Sequence, residues 1–168
     1  MMIKRIFNLI FIVNVLLFSH NALSLTPTFH MGQEINFGSI VLSTGSCSMI
    51  PTTGALTSHV GQFICEFQAG SQYGSYTITA NPNKIIQVKM TPDLDNGSGY
   101  IFNPRASMFS DVASKVVHNN TDFVEINSGS SGIVNIYLGG ELTVYSLPSA
   151  GQTINFSFDA AIEWNEID

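Results

Sequence analysis

Apolar and polar residues alternate along the last part of the chain, from residue 153 to residue 165. Apolar side chains occupy the even positions, which are Ile154, Phe156, Phe158, Ala160, Ile162 and Trp164. Successive residues of a strand point to opposite faces of its sheet, so this pattern predicts a strand with one face on a core and the other in water. Few residues follow, so we expect this strand to close the domain with one edge uncovered.

Shorter alternating stretches, separated by Gly, Pro, Ser and Asn, recur along the chain. They predict strands over residues 33–43, 47–50, 55–59, 62–67, 75–80, 85–90, 123–126 and 134–144, with an interruption at Gly139 and Gly140. Residues 100–120 are less regular: 100–102 fit a short strand, and 110–117 have the spacing of one or two helical turns. Many short strands without a long amphipathic helix predict one all-β domain, either a sandwich or a barrel.

The first 24 residues have the features of a secretory signal peptide. Lys4 and Arg5 precede an apolar stretch over residues 6–18, and small residues stand at the third and first positions before a cleavage point after Ser24. The alternative is a single membrane anchor, but the apolar stretch is shorter than the ~20 residues that a spanning helix needs. We therefore expect export, followed by removal of residues 1–24.

Removal of that segment would leave 144 residues with four basic and twelve acidic side chains, a net charge of −8. The remaining basic residues are scattered: Lys84, Lys89, Arg105 and Lys115. This distribution argues against nucleic acid as a partner, because proteins bind it mainly through basic patches. No later stretch is long and apolar enough to predict a membrane span.

The exported part contains two cysteines, Cys47 and Cys65. An even pair in an exported chain predicts a disulfide bond. The loop that it closes spans about 18 residues, which the chain-entropy account values at roughly 3 kcal/mol. Two free buried thiols are the alternative.

Motifs for catalysis, metal binding or cofactor binding are absent from the sequence. The exported part has three histidines, which lie far apart: His30, His59 and His118. Residues 93–97 resemble the start of a calcium loop, but Gly97 is the fifth residue rather than the sixth, and Pro104 stands where the twelfth should be Glu. Residues 129–132 lack the spacing of a serine-hydrolase elbow. We therefore predict a protein that is not an enzyme and has no cofactor.

Three segments resemble a family of bacterial secreted domains long catalogued only as a domain of unknown function. Residues 35–40 (INFGSI) resemble its opening LNFG(S/T)I motif, and residues 61–78 resemble a stretch in which Gly residues separate Phe, Tyr and Ile. Residues 136–144 (IYLGGELTV), followed by the closing strand, resemble its LYVGGxLxV motif and C-terminal end. The resemblance covers most of residues 33–165 in the same order.

That family looks related to the spore-coat-U-like and archaic chaperone–usher pilins of Gram-negative bacteria. The resemblance implies an immunoglobulin-like antiparallel β-sandwich that lacks its last strand. A periplasmic chaperone would fill the groove first, and an outer-membrane usher would then exchange it for the N-terminal extension of the next subunit. This chain departs from the pattern at Trp164, which replaces a Tyr, in residues 100–120, which look like an insertion, and in its cysteine pair.

On this basis residues 25–32 form a candidate donor strand and residues 33–168 form the pilin-like domain. The donor side chains are Leu25, Phe29 and Met31, and the acceptor groove would lie beside the closing strand. Strand addition supplies main-chain hydrogen bonds, and each buried Leu, Phe or Met adds roughly 1.5–3 kcal/mol. Alternatively, the segment begins the first strand of its own molecule or has no fixed structure.

The sequence therefore predicts an exported structural subunit of a surface fibre or coat, contributing to adhesion or biofilm formation. It would pass through the periplasm to the cell surface or the exterior, and its partners would be related subunits, the chaperone and the usher. Two alternatives remain. One is a free-standing binding module that recognises a ligand through residues 100–120. The other is a secreted enzyme, whose acidic or histidine side chains would have to converge in a pocket.

Overall fold

The structure is a computed structural model, and it describes residues 25–38, 43–59, 70–92, 99–118, 122–146 and 162–167. These residues form ten strands and no helix. In chain order the strands are β1 (Thr28–Gln33), β2 (Gly45–Met49), β3 (Leu56–Ser58), β4 (Gly74–Thr79), β5 (Ile85–Met90), β6 (Tyr100–Phe109), β7 (Ser114–His118), β8 (Val124–Asn127), β9 (Ile133–Val144) and β10 (Ile162–Ile167).

The long strand β9 is the centre of a seven-stranded antiparallel sheet. On one side it pairs with β6 along most of its length, from Val144 opposite Tyr100 to Asn135 opposite Phe109. On the other side its first half pairs with β4 and its second half pairs with β2. Strands β1, β3 and β7 lie outside β4, β2 and β6, respectively. The change of partner occurs at Gly139, which lies between the last residue paired with β4 and the first residue paired with β2.

β9 runs without interruption through Gly139 and Gly140, so the predicted break at these residues is wrong. A Cβ atom at Gly139 would overlap the backbone of Met49 and Pro51, which crosses the outer face of the sheet at this point. Gly140 has a φ of 139°, and a Cβ there would overlap the carbonyl oxygen of Asn103. Both glycines therefore permit close backbone approach within a continuous strand.

The second sheet has three antiparallel strands in the order β10-β5-β8. Ile162 is buried, Glu163 is exposed and Trp164 is half-buried, so the alternation predicted for the closing strand is confirmed in its described part. Ile154, Phe156, Phe158 and Ala160 lie outside the described residues. Within the described part of the chain, β10 pairs with β5 alone and forms one end of this sheet.

The two sheets pack on one continuous core, to which both contribute alternate apolar side chains. Ile78, Met108 and Ile136 come from the large sheet, and Ile86 and Val88 come from the small one; all five are fully buried. The fold is therefore an all-β antiparallel sandwich, as the sequence pattern predicts. β1 and β10 lie on one side of the sandwich, where a ring of each is in contact, and β7 and β8 meet on the other side.

Two predicted elements are wrong in detail. Residues 33–38 do not begin a core strand: β1 ends at Gln33, and Asn36 makes only an isolated bridge with Gln72. Residues 110–117 do not form helical turns, because 114–118 belong to β7, which forms a hairpin with β6. Val117 faces the core and Val116 is 45% exposed, so the alternation of the hairpin overrides the weak helical spacing.

Candidate functional site

The N-terminal segment lies in the sheet of its own chain in this structure. β1 pairs antiparallel with β4, with Phe29 opposite Ile78 and Met31 opposite Tyr76, and the register shifts between Met31 and Gln33. This is the arrangement expected if the segment begins its own first strand. Donation of the segment to another copy stays a prediction. A donated strand would pair with β4 in the same register, so the pairing within one chain does not decide between the two arrangements.

Of the three candidate donor side chains, only Phe29 packs against the core. Its ring stacks on Tyr76 with centroids 5.5 Å apart and on Trp164 with centroids 6.3 Å apart, so it joins the two sheets. Leu25 is 53% exposed and Met31 is 36% exposed. Sequence alternation puts all three side chains on one face, but it does not show that Leu25 precedes the strand or that the register shifts beyond Met31.

A cluster that we call the Asn81 clasp fixes the start of this segment to the closing strand. The Leu25 N–H donates to Asn81 Oδ1 (2.8 Å), and Asn81 Nδ2 donates to the Leu25 carbonyl oxygen (3.1 Å). The Asn81 backbone N–H and Nδ2 also donate to the two carboxylate oxygens of Glu166, each at 2.8 Å. The clasp therefore links the segment just before β1, the turn after β4, and β10. In the sequence, Asn81 suggests only a turn before Pro82.

Of the two cysteines of the predicted disulfide bond, the structure describes one. Cys47 is fully buried in β2 and is disulfide-bonded. Cys65 is the only other cysteine of the chain, and it lies outside the described residues.

A cavity of about 590 Å³ lies on the outer face of the large sheet, away from β1. We call it the outer-face pocket. One wall is the turn at Ile50, Pro51 and Thr52, and the remaining surface comes from β2, β6, β7 and β9. The pocket lies beside the point where the segment after β2 crosses the sheet. That crossing passes over Gly139, where a Cβ atom would overlap the backbone.

Two rows of outward-facing polar side chains line the outer-face pocket. Ser48, Glu141 and Asn103 lie opposite one another on β2, β9 and β6. In the next row, Arg105 of β6 lies directly opposite His118 of β7. The sequence pattern indicates residues 100–120 as an alternative ligand-binding region but does not identify these side chains, because only the strand register brings them together.

The acidic side chain of the pocket is held from one side by a histidine. Glu141 Oε1 lies 3.3 Å from His59 Nε2, and the same nitrogen lies 3.3 Å from the Ser48 hydroxyl. His59 therefore orients Glu141 at the rim and forms an ion pair with it when protonated. By contrast, the Arg105 side chain is exposed and has no hydrogen bond or ion pair within the described ranges.

Asp111 joins the turn between β6 and β7 to the turn between β8 and β9. Asp111 Oδ2 accepts hydrogen bonds from the Ser130 hydroxyl (2.7 Å) and from the Ser131 backbone N–H (3.2 Å). The Ser130 hydrogen bond, above all, holds the pKa of the Asp111 carboxyl below its ordinary value of 3.8. This arrangement is typical of a turn brace, and Asp111 is exposed.

The described residues bring together no group of three or more His, Cys, Asp or Glu side chains that could hold a metal ion. Among these same residues there is also no helix of the length and hydrophobicity needed to cross a membrane.

No protein-family model, curated protein or solved structure matches this chain. The resemblance to secreted pilin-like domains therefore depends on the sequence motifs alone.

Proposed function

We propose that this protein is an exported, non-enzymatic structural subunit of a surface fibre or coat, assembled by exchange of the N-terminal strand between copies. The observation that carries the proposal is the position of β1. It is an edge strand, it pairs with β4 alone within the described residues, and it lies where the ends of the two sheets meet. A strand in this position can leave without disrupting any other strand pair of the described residues.

The remainder of the sandwich needs a strand beside β4. Tyr76 and Ile78 of β4 are at most 1% exposed, and Phe29 covers Tyr76 and Trp164. Without β1, the backbone edge of β4 would be unpaired and this apolar surface would be open to water. Such edges drive association. The same register filled by the β1 of a second copy would restore every contact, so exchange replaces one set of contacts with an identical set.

Exchange of this kind is head-to-tail, because each chain gives β1 to one neighbour and receives β1 from another. Interfaces of this type propagate as fibres when the rotation between subunits does not close a ring. The resemblance to pilin-like domains and the signal-peptide pattern support the same proposal. They imply an immunoglobulin-like sandwich that lacks a strand, a periplasmic chaperone, an outer-membrane usher, and a destination at the cell surface with a role in adhesion or biofilm formation.

Light scattering combined with size-exclusion chromatography tests the proposal on two purified chains. One chain begins at Leu25 and the other begins at Gln33, which removes most of β1. We expect the longer chain to form a ladder of oligomers that persists in gels run without boiling, and the shorter chain to form none. A synthetic peptide of residues 25–32, which are the residues that the shorter chain lacks, should bind it and stabilise it. If both chains are stable, cooperatively unfolding monomers, the proposal is wrong.

A second candidate function is a free-standing binding module, which the outer-face pocket favours. Five residues of the range 100–120 line that pocket, and four of them are polar: Asn103, Arg105, Ser107 and His118. A module of this kind would be monomeric at all concentrations, so the same gels distinguish it from an assembling subunit.

A further inference from the structure

The outer-face pocket has the size and the lining of a site for a small polar molecule. Its volume of about 590 Å³ lies within the range of small-ligand sites, roughly 300–1,000 Å³. Ile50, which is 47% exposed, provides apolar surface, whereas Ser48, Asn103 and Ser107 provide hydroxyl and amide groups. A ligand with several hydroxyl groups would find both donors and acceptors along two neighbouring rows of the sheet.

The charges in the pocket restrict the ligand further. Arg105 presents a guanidinium group that is unpaired within the part of the chain that the structure describes, and His118 lies beside it. A guanidinium binds a carboxylate through two parallel hydrogen bonds. Glu141, one row away and held by His59, accepts hydrogen bonds from hydroxyl groups and repels a second negative charge. The ligand therefore carries one carboxylate at one end and hydroxyl groups at the other.

The spacing of the two rows fits a single sugar ring. Neighbouring strands lie about 4.8 Å apart, so the span from Ser48 through Glu141 to Asn103 is about 10 Å. The Arg105 row lies one pleat further along the sheet, about 7 Å away. A ring that carries its carboxylate opposite its hydroxyl groups can contact both rows at once.

We propose that the outer-face pocket binds an acidic saccharide, of which a hexuronic acid is the simplest example. The site lies on a face that β1 does not cover, so the proposal holds whether or not the protein assembles into fibres. It adds a recognition function to a surface subunit.

Nuclear magnetic resonance titration of the ¹⁵N-labelled protein tests this proposal. The probes are sodium glucuronate, the neutral methyl glucoside, and sodium acetate, which has the carboxylate without the hydroxyl groups. We expect saturable shifts of the Asn103, Arg105 and Glu141 amides with glucuronate. The other two compounds should need at least about tenfold higher concentrations, because each lacks one half of the contacts.

Variants identify the groups responsible. Arg105→Gln should weaken glucuronate binding about ten- to a hundredfold, as expected for the loss of a charged hydrogen-bonding partner. Glu141→Gln should bring the dissociation constants of glucuronate and acetate closer together. Lys115→Gln is the matched control, because Lys115 is exposed on the same hairpin but does not line the pocket. It should bind glucuronate as the native protein does.

Three results would overturn the proposal. The first is the absence of saturable shifts with glucuronate. The second is acetate binding as tight as glucuronate binding, which would indicate attraction of any small anion. The third is equal weakening in Arg105→Gln and Lys115→Gln, which would indicate an effect of net charge alone. None of these results bears on strand exchange, since oligomer formation is measured separately.

Discussion

Removal of the Asn81 side chain should loosen the N-terminal strand and lower the stability of the whole domain. Asn81→Ala deletes three hydrogen bonds: two with the backbone of Leu25 and one with the Glu166 carboxylate. The hydrogen bond from the Asn81 backbone N–H to Glu166 remains. β1 then stays in place through its ladder with β4, the ring of Phe29, and the hydrogen bond that Gln33 Nε2 donates to the Tyr73 carbonyl oxygen (2.7 Å).

The magnitude follows from the exposure of the three bonds. The two bonds with Leu25 are exposed, and each contributes at the low end of the usual range, about 0.5 kcal/mol. The bond with Glu166 is partly buried and involves a charged acceptor, so it contributes about 1.5 kcal/mol. We therefore expect the free energy of unfolding to fall by about 2–3 kcal/mol.

Two measurements check this expectation. Urea unfolding gives the change in the free energy of unfolding, and hydrogen exchange of the β1 amides shows whether this strand opens locally. Asn165→Ala is the matched control, because Asn165 lies on β10 next to Glu166, outside the clasp, and makes one exposed hydrogen bond, to Gln87 Oε1 at 2.9 Å. The control should lose less than about 1 kcal/mol. If Asn81→Ala costs no more than the control and leaves exchange of the β1 amides unchanged, the clasp does not hold the strand.

Three further changes have outcomes that the structure specifies. Gly139→Ala should lower the free energy of unfolding in urea by about 1–3 kcal/mol, because the added methyl group would overlap the backbone that crosses the sheet. Gly70→Ala is the control: a Cβ there would have no heavy atom within 4 Å, so the loss should be smaller even though the φ of Gly70 is positive. Phe29→Ala should cost about 2 kcal/mol, below the 3–5 typical of a fully buried ring, whereas Met31→Ala, at an exposed position, should cost under about 1 kcal/mol. The pKa of Asp111 is lowered in the folded protein, so the ionised carboxylate stabilises the fold. This stabilisation is fully present above pH 3.8, the ordinary pKa of the group, and is lost as the pH falls through the lowered pKa. Measurement of the free energy of unfolding against pH should show this loss in the native protein and not in Asp111→Asn.

The sandwich could be predicted from the sequence because its strands carry their own signal. Alternation at Ile162 and Trp164 shows which face of β10 meets the core, and it needs no knowledge of the neighbouring strand. The helical prediction for residues 110–117 was wrong because, over so short a stretch, four apolar residues fit both the helical period of about 3.6 and the strand period of two. Pairing of β7 with β6 decides between them, and pairing partners are not visible in a local pattern.

The candidate sites were much harder to predict. Asn81 bonds with Leu25 and Glu166, which are 56 and 85 residues away in the sequence, so its local context shows only a turn. The outer-face pocket combines side chains from four strands. Arg105 and His118 meet because a hairpin puts them in register, and Glu141 joins them because β9 lies on the other side of β6.

Exchange of β1 between copies can be detected by a disulfide bond between two chains that carry different cysteine substitutions. His30 lies opposite Thr77 in the β1–β4 register, so cysteines at these positions come within bonding reach. Chains carrying His30→Cys and chains carrying Thr77→Cys are refolded together and oxidised. Thr28→Cys with Ser75→Cys is the control pair, because Thr28 lies opposite Thr79 and is about 13 Å out of register with Ser75. Strand exchange should give covalent dimers that contain one chain of each kind, and the control pair should give none. If the mixed chains stay monomeric, while the double variant His30→Cys/Thr77→Cys closes its disulfide within single chains at every concentration, strand exchange does not occur.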